Sequence, residues 1–386
     1  MEMGNSLTSI VSLEDIITTG DKGQIVGLEE SSKAFLIANL IGRTQGNLLV
    51  LTPNSRQADE LYEDLVRIES EDKVSLFPRL EIFPHESLEI EETVKVERLK
   101  TLERICYREE QIILAPVQAL LEMVMPCNIY EEYRLEFQTG ENLAPEKIKE
   151  KLVKMGYERV TQVQNKGQFS IRGGIIDIYT PLAEKAVRIE LFGDEIDSIR
   201  EFSIVDQRSE DKLDKIVISP ASEFILPQDD FLSSIQAIRR DLQKTVEPLS
   251  DKATAKLKEK VNQDLERLTE GIIFPELRQY LRYFYEPESI FDYFSGTVVF
   301  DNWARLKDKA VEFSQDIYGT INTLIHSGDA LVGYENHFLD FNEVIHQTKE
   351  LKLYLSPLQK SLAGIDLDFR GELDLRKIDK FKGKIQ

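Results

Sequence analysis

Only two cysteines, Cys106 and Cys127, occur among 386 residues, far too few for the disulfide framework of a secreted scaffold. Both are expected to be reduced, half-buried small hydrophobes in a cytoplasmic protein. No apolar run reaches the roughly 18 residues of a membrane span. The N-terminus is polar and acidic and lacks a signal-peptide pattern. Met3 to Thr8 match the letters of a myristoylation site but do not stand at the true N-terminus. Positive charge is scarce: 48 Lys and Arg against 69 Asp and Glu give a net charge of −21. Such a chain repels a phosphate backbone on average, and no basic tract offsets this. The four histidines, His85, His326, His337 and His346, are scattered, with none in a ligand spacing with cysteine. His326 and His337 read as loop or surface residues. No serine or cysteine occupies a nucleophile elbow, so no catalytic residue and no metal site is expected. Internal repeats and low-complexity linkers are missing too.

What is present is a change of pattern along the chain. Residues 23 to about 127 alternate strands with helices: Leu48–Thr52, Val74–Phe77 and Ile112–Ala115 are continuous apolar runs of the buried parallel type. Asn54 or Ser55 can cap the helix that follows the first of these. Alternation of this kind implies an α/β parallel sheet. From about 128 to 218 the chain turns to short alternating strands with one helix, Pro145–Met155, which reads as an α+β insert. From 219 the α/β pattern resumes, with helices at Phe231–Leu242 and Asp251 to about Glu270, a strand at Val298–Phe300, and Ala330–Gly333 as a further possible strand. The charge run after Asp251 reads as a solvated helix face. The resulting division is 1–127, 128–218, 219–350, and 351–386 as a linker or the start of a following domain. Its last stretch, from Ile365, is expected to have nothing to pack on.

Within the insert, Phe169 and Ile171 fall on one strand face, Ser170 and Arg172 on the other. Gly173-Gly174 permits a bend or bulge. Val187, Ile189 and Leu191 share a core face, so Arg188, Glu190 and Phe192 point away from it. Gly193-Asp194 is a two-residue hairpin signal and Glu195–Phe202 the return strand. Arg172, Arg188 and Phe192 are thereby expected on one wet face. An exposed phenylalanine is either an ordinary surface residue or, beside arginines, a protein contact.

Gly27-Leu-Glu-Glu-Ser-Ser-Lys33-Ala34 keeps the spacing of a phosphate loop between a strand and a helix. Lys33 stands where the loop lysine belongs, but Ser32 replaces the second glycine and Ala34 the magnesium-holding hydroxyl. Glu29 and Glu30 put negative charge where phosphate would sit. At the opposite corner the strand ends in Asp301-Asn302, and asparagine cannot orient water as a base would. The segment is either a relic nucleotide site or a plain strand-to-helix turn; hydrolysis is unsupported in both cases.

The run Gly167–Pro181 with its continuation Val187–Arg200 closely resembles the small second domain that UvrB shares with the N-terminal part of bacterial transcription-repair coupling factors. The resemblance covers roughly residues 20–350. It implies a degenerate RecA-like domain split around a UvrA-interaction domain. Arg172 and Arg188 match arginines of the UvrA-binding surface, and Phe192 matches an aromatic that the coupling factors add. Gly27, Lys33 and Asp301 become remnants of a motor site, with no cofactor in this region. ATP, magnesium, DNA translocation and RNA-polymerase contact would belong to domains outside it, and the C-terminal domain would mask the UvrA face. UvrB itself, an ATP-dependent repair helicase, is the rival. It would have an intact phosphate loop and an aromatic DNA-clamping hairpin, where this chain has the short acidic stretch Phe77–Glu91.

Overall fold

The computed structural model describes residues 9–11, 22–28, 30–41, 43–44, 46–80, 91–227, 230–272, 274–286, 288–347, 351–358, 362 and 364–373. The strands β1 (Ser9–Val11), β2 (Lys22–Val26), β3 (Asn47–Thr52), β4 (Val74–Leu76) and β5 (Ile112–Pro116) come before the insert. The insert contributes β6 (Leu135–Gln138), β7 (Glu158–Arg159), β8 (Gln168–Arg172), β9 (Ile175–Tyr179), β10 (Ala186–Phe192), β11 (Glu195–Phe202), β12 (Ser209–Leu213) and β13 (Lys215–Ile218). After it come β14 (Gly296–Asp301), β15 (Lys352–Ser356) and β16 (Phe369–Leu373).

The first and last groups form one sheet in the order β1-β16-β2-β15-β14-β3-β5-β4, with every pairing parallel. The apolar run of β3 is buried on both faces because each face carries helices. Leu48 and Val50 pack with Leu36, Ile37, Leu61 and Leu65 of the Glu30–Leu40 and Ser55–Leu65 helices. Leu49 and Leu51 pack with Leu306, Phe313 and Ile317 of the Trp303–Ser327 helix. Asn54 caps the Ser55–Leu65 helix, its Oδ1 accepting from the Gln57 amide at 3.0 Å. The fold is therefore a RecA-like parallel sheet, split in sequence, with an inserted α+β domain.

Four expectations are corrected here. Residues 352–356 are no linker: β15 lies between β2 and β14 in the middle of the sheet. Beyond Ile365, β16 inserts between β1 and β2, and Phe369 packs on the apolar core there. A short Leu-Tyr-Leu run buried on both faces gives no alternation to reveal it. Ala330–Gly333 is a turn rather than a strand. His337 is buried instead of exposed, edge-on to Tyr334.

That histidine carries a testable pH dependence. Burial first, then the charges of Arg278 and Arg282, push its pKa down from 6.5 to about 3. The unfolded chain gains a proton below its ordinary pKa that the folded chain refuses, so stability is full above that value and drains as pH falls toward the folded value. Roughly 2 kcal/mol should be lost between neutral pH and pH 5. Urea melts of wild type and His337→Phe at the two pH values check it: the variant should lose markedly less.

The insert is clamped at both chain ends. On the way in, Cys106 and Cys127 form a disulfide with Cα atoms 5.4 Å apart, overturning the expectation of reduced thiols. The end of the Glu92–Cys106 helix and the start of the Cys127–Tyr133 helix meet there, a proximity invisible in one dimension. The Tyr130 hydroxyl donates to Glu103 at 3.1 Å. On the way out, Ser219 donates to the same Glu103 at 3.0 Å, and Arg98 grips Glu223 through two bonds of 2.7 and 2.9 Å. β6 and β13 pair antiparallel between these clamps.

Candidate partner-binding face and relic nucleotide pocket

The insert's six-stranded sheet runs β12-β11-β10-β9-β8-β7. One face is core: Ile171 opposes Ile176, Ile176 opposes Ile189, and Ile189 opposes Ile199, all against Ile148 and Leu152 of the Pro145–Lys154 helix and Met155 at its end. Gly193, at φ 67°, and Asp194 close the β10–β11 hairpin. β11 holds one residue more than β10, Asp197, in a bulge. That bulge lets Ile196 and Ile199, three apart, both point inward, which strict alternation forbids. Gly173 and Gly174 turn β8 into β9, and a Cβ on Gly174 would stand 2.9 Å from the Leu191 carbonyl. The turn is thereby held against the end of β10.

The opposite face carries the expected trio, but unequally. Phe192 is 84% exposed. The Arg172 side chain is 51% exposed and that of Arg188 only 13%. The cause is Asp177 on β9, fully buried and opposite Arg188 in register. Arg188 donates Nε to Asp177 Oδ1 at 2.7 Å and Nη2 to Oδ2 at 3.0 Å, while Arg172 Nη2 donates to Oδ2 at 2.7 Å. Arg188 also reaches the Gln207 carbonyl at 3.2 Å and lies over the Phe202 ring. The hydrogen bonds to Asp177, with the charges of Asp177 and Glu190, raise its pKa above the ordinary arginine value although burial pulls the other way. Arg188 is thus a fixed strut, not the solvent-facing cation expected from alternation. Its far side is covered because Phe202, Ala186 and Val163 form a small apolar cluster at that end of the face. Asp177 went unnoticed in the sequence, although Ile175-Ile-Asp-Ile-Tyr179 already places it on the arginine face by period two.

At the other candidate site Gly27 ends β2 at φ 78°. Glu29 lies outside the described residues, as does the side chain of Glu30, and so do residues 81–90 of the short acidic stretch. Lys33 is buried, its Nζ 2.9 Å from Asp301 Oδ1 and 3.1 Å from Oδ2. The two residues singled out from opposite corners therefore meet as a closed ion pair. Ala34 is fully buried within the apolar cluster on that face of the sheet. Asn302 takes a left-handed backbone, φ 60°, at the start of the Trp303–Ser327 helix.

Residues 135–224 match the family model of the UvrB interaction domain. Over 336 residues, 86% of this chain and 28% of the relative, it is 32% identical to the transcription-repair-coupling factor of Bacillus subtilis. The corresponding protein of Staphylococcus haemolyticus is 29% identical over 93% of this chain and 31% of its own length. A parallel-sheet body interrupted by a UvrB interaction domain defines the chain as a UvrB-homology module. It belongs with the N-terminal module of the transcription-repair coupling factors, and spans less than a third of the length of those relatives.

Proposed function

We propose that this module is an adaptor that binds UvrA and so links excision repair to a stalled RNA polymerase. The observation that carries the reading is Phe192, a large aromatic left 84% exposed beside a braced arginine pair. It lies inside the segment matching the UvrB interaction domain. Phe192 would be the apolar anchor and Arg172 the charged one, with Arg188 and Asp177 holding Arg172 in place. RNA polymerase, DNA translocation and its ATP and magnesium would be supplied by the remainder of a full-length coupling factor, whose C-terminal domain would mask this face. The protein would work in the cytoplasm; among the described residues no helix is long and apolar enough to cross a membrane.

The nucleotide pocket is proposed to be chemically silent. A lysine already neutralised by Asp301, and alanine in place of a metal-holding hydroxyl, do not suit a magnesium nucleotide. The UvrB-like alternative, an ATP-dependent enzyme, needs that pocket open.

Phe192→Ala and Arg172→Ala are each expected to weaken UvrA capture by about 2 kcal/mol, roughly thirtyfold. Titration of purified UvrA by calorimetry checks this. Undiminished affinity in the double variant would refute the assignment.

A further inference from the structure

The register of the insert sheet aligns one row of residues straight across four strands: Asp177, Arg188, Arg200 and Lys212. Three cations and one carboxylate leave this row at +2 in a chain whose total is −21. Asp177 is already bound by Arg172 and Arg188. Glu190, in the adjoining row, accepts from Ser198 at 2.6 Å. Arg200 is half-buried and Lys212 exposed, and among the described residues neither makes an ion pair or side-chain hydrogen bond. Like charges directly opposite each other across strands are destabilising. Lysine on an edge strand such as β12 can serve to discourage edge pairing, but Arg200 sits on the inner strand β11, where that purpose is absent.

We propose, building on the reading of this face as the UvrA-binding surface, that Arg200 and Lys212 extend it across β11 and β12, and that the protein partner meets them with carboxylates. A braced arginine, two uncommitted cations and one exposed aromatic on a single sheet face match the anatomy of a protein interface, an apolar anchor flanked by charge. Phosphate is the poorer match. The row offers few cations and the surrounding chain is strongly acidic, so the net field disfavours a nucleic-acid backbone. Charges at the margin of an interface act chiefly on association rate and salt dependence.

The test compares three forms of the whole chain with purified UvrA by biolayer interferometry between low and physiological salt: wild type, Phe192→Ala, and Arg200→Ser with Lys212→Ser. The serine double variant should bind roughly tenfold more weakly at low salt, mostly through slower association, and show a flatter salt dependence. Its melting temperature should hold or rise, since a repulsive pair has been removed. Wild type that fails to bind UvrA at all would sink the underlying assignment. Wild type that binds, with Phe192→Ala weakened and the serine variant unchanged, would sink the extension alone. The extension would also fail if the serine variant melted earlier, which would mark the cations as structural. It would fail equally if a short duplex DNA, used as second probe, bound wild type and lost affinity in the variant while UvrA binding stayed constant.

Discussion

Asp177→Ala is expected to abolish capture of UvrA although Asp177 has no exposed surface of its own. Removing it leaves the Arg188 guanidinium, 13% exposed, without its buried counter-charge. Breaking such a pair costs about 3 kcal/mol or more. Arg172 loses its brace in the same stroke. Chemical denaturation monitored by circular dichroism gives the stability change, and calorimetry with UvrA gives the binding change. Asp177→Asn separates the two roles: it retains oxygen and shape but not charge, so folding should recover more than affinity does. If Asp177→Ala bound as tightly as wild type, Arg172 and Arg188 would have no part in the interface as described.

The second large effect is expected at the relic pocket. Lys33→Met should lower stability by about 3 kcal/mol, because it strips the buried Asp301 of its lysine. Adding Asp301→Leu should restore most of that loss, since an apolar pair can replace a buried ionic one at little net cost. In the wild-type chain, magnesium-ATP should leave the melting curve in place, whereas a ligand at a hundredfold its Kd would add about 2.7 kcal/mol. A nucleotide-dependent rise would overturn the silent-pocket reading and favour the UvrB-like alternative. Lys33→Met with wild-type stability would show the ion pair to be incidental.

What the sequence reveals here follows from how each element is stabilised. The β10–β11 hairpin is legible because the core face of β10 repeats every second residue and only two residues remain for the turn. Phe192 could be assigned to the open face on the same ground. The bulge at Asp197 is hidden, because it appears only when two strands are counted against each other. Arg188 obeys the alternation yet is mostly covered, since exposure depends on the Gln207 segment and Phe202 folding over one end of the face. β15 escapes for the opposite reason: a central parallel strand is short and apolar, with helix-like and strand-like readings equally open. β16 carries Arg370 and Glu372, and its partners β1 and β2 stand at the far end of the chain, so no local pattern shows what it packs on. Lys33 and Asp301 were each identifiable, but their closure into a pair is a long-range contact, 268 residues apart, that no local rule encodes. The cysteines belong to this class too.

The double clamp at the neck has a mechanical corollary. With disulfide and Tyr130 on the incoming segment, and Ser219 and Glu223 on the outgoing one, the insert is mounted like a bracket and not hung like a pendulum. Cargo seated at the Phe192 tip would therefore inherit a fixed heading from the parallel sheet behind it, and a tug on that cargo would be felt along the Glu92–Cys106 helix instead of being absorbed by a slack tether.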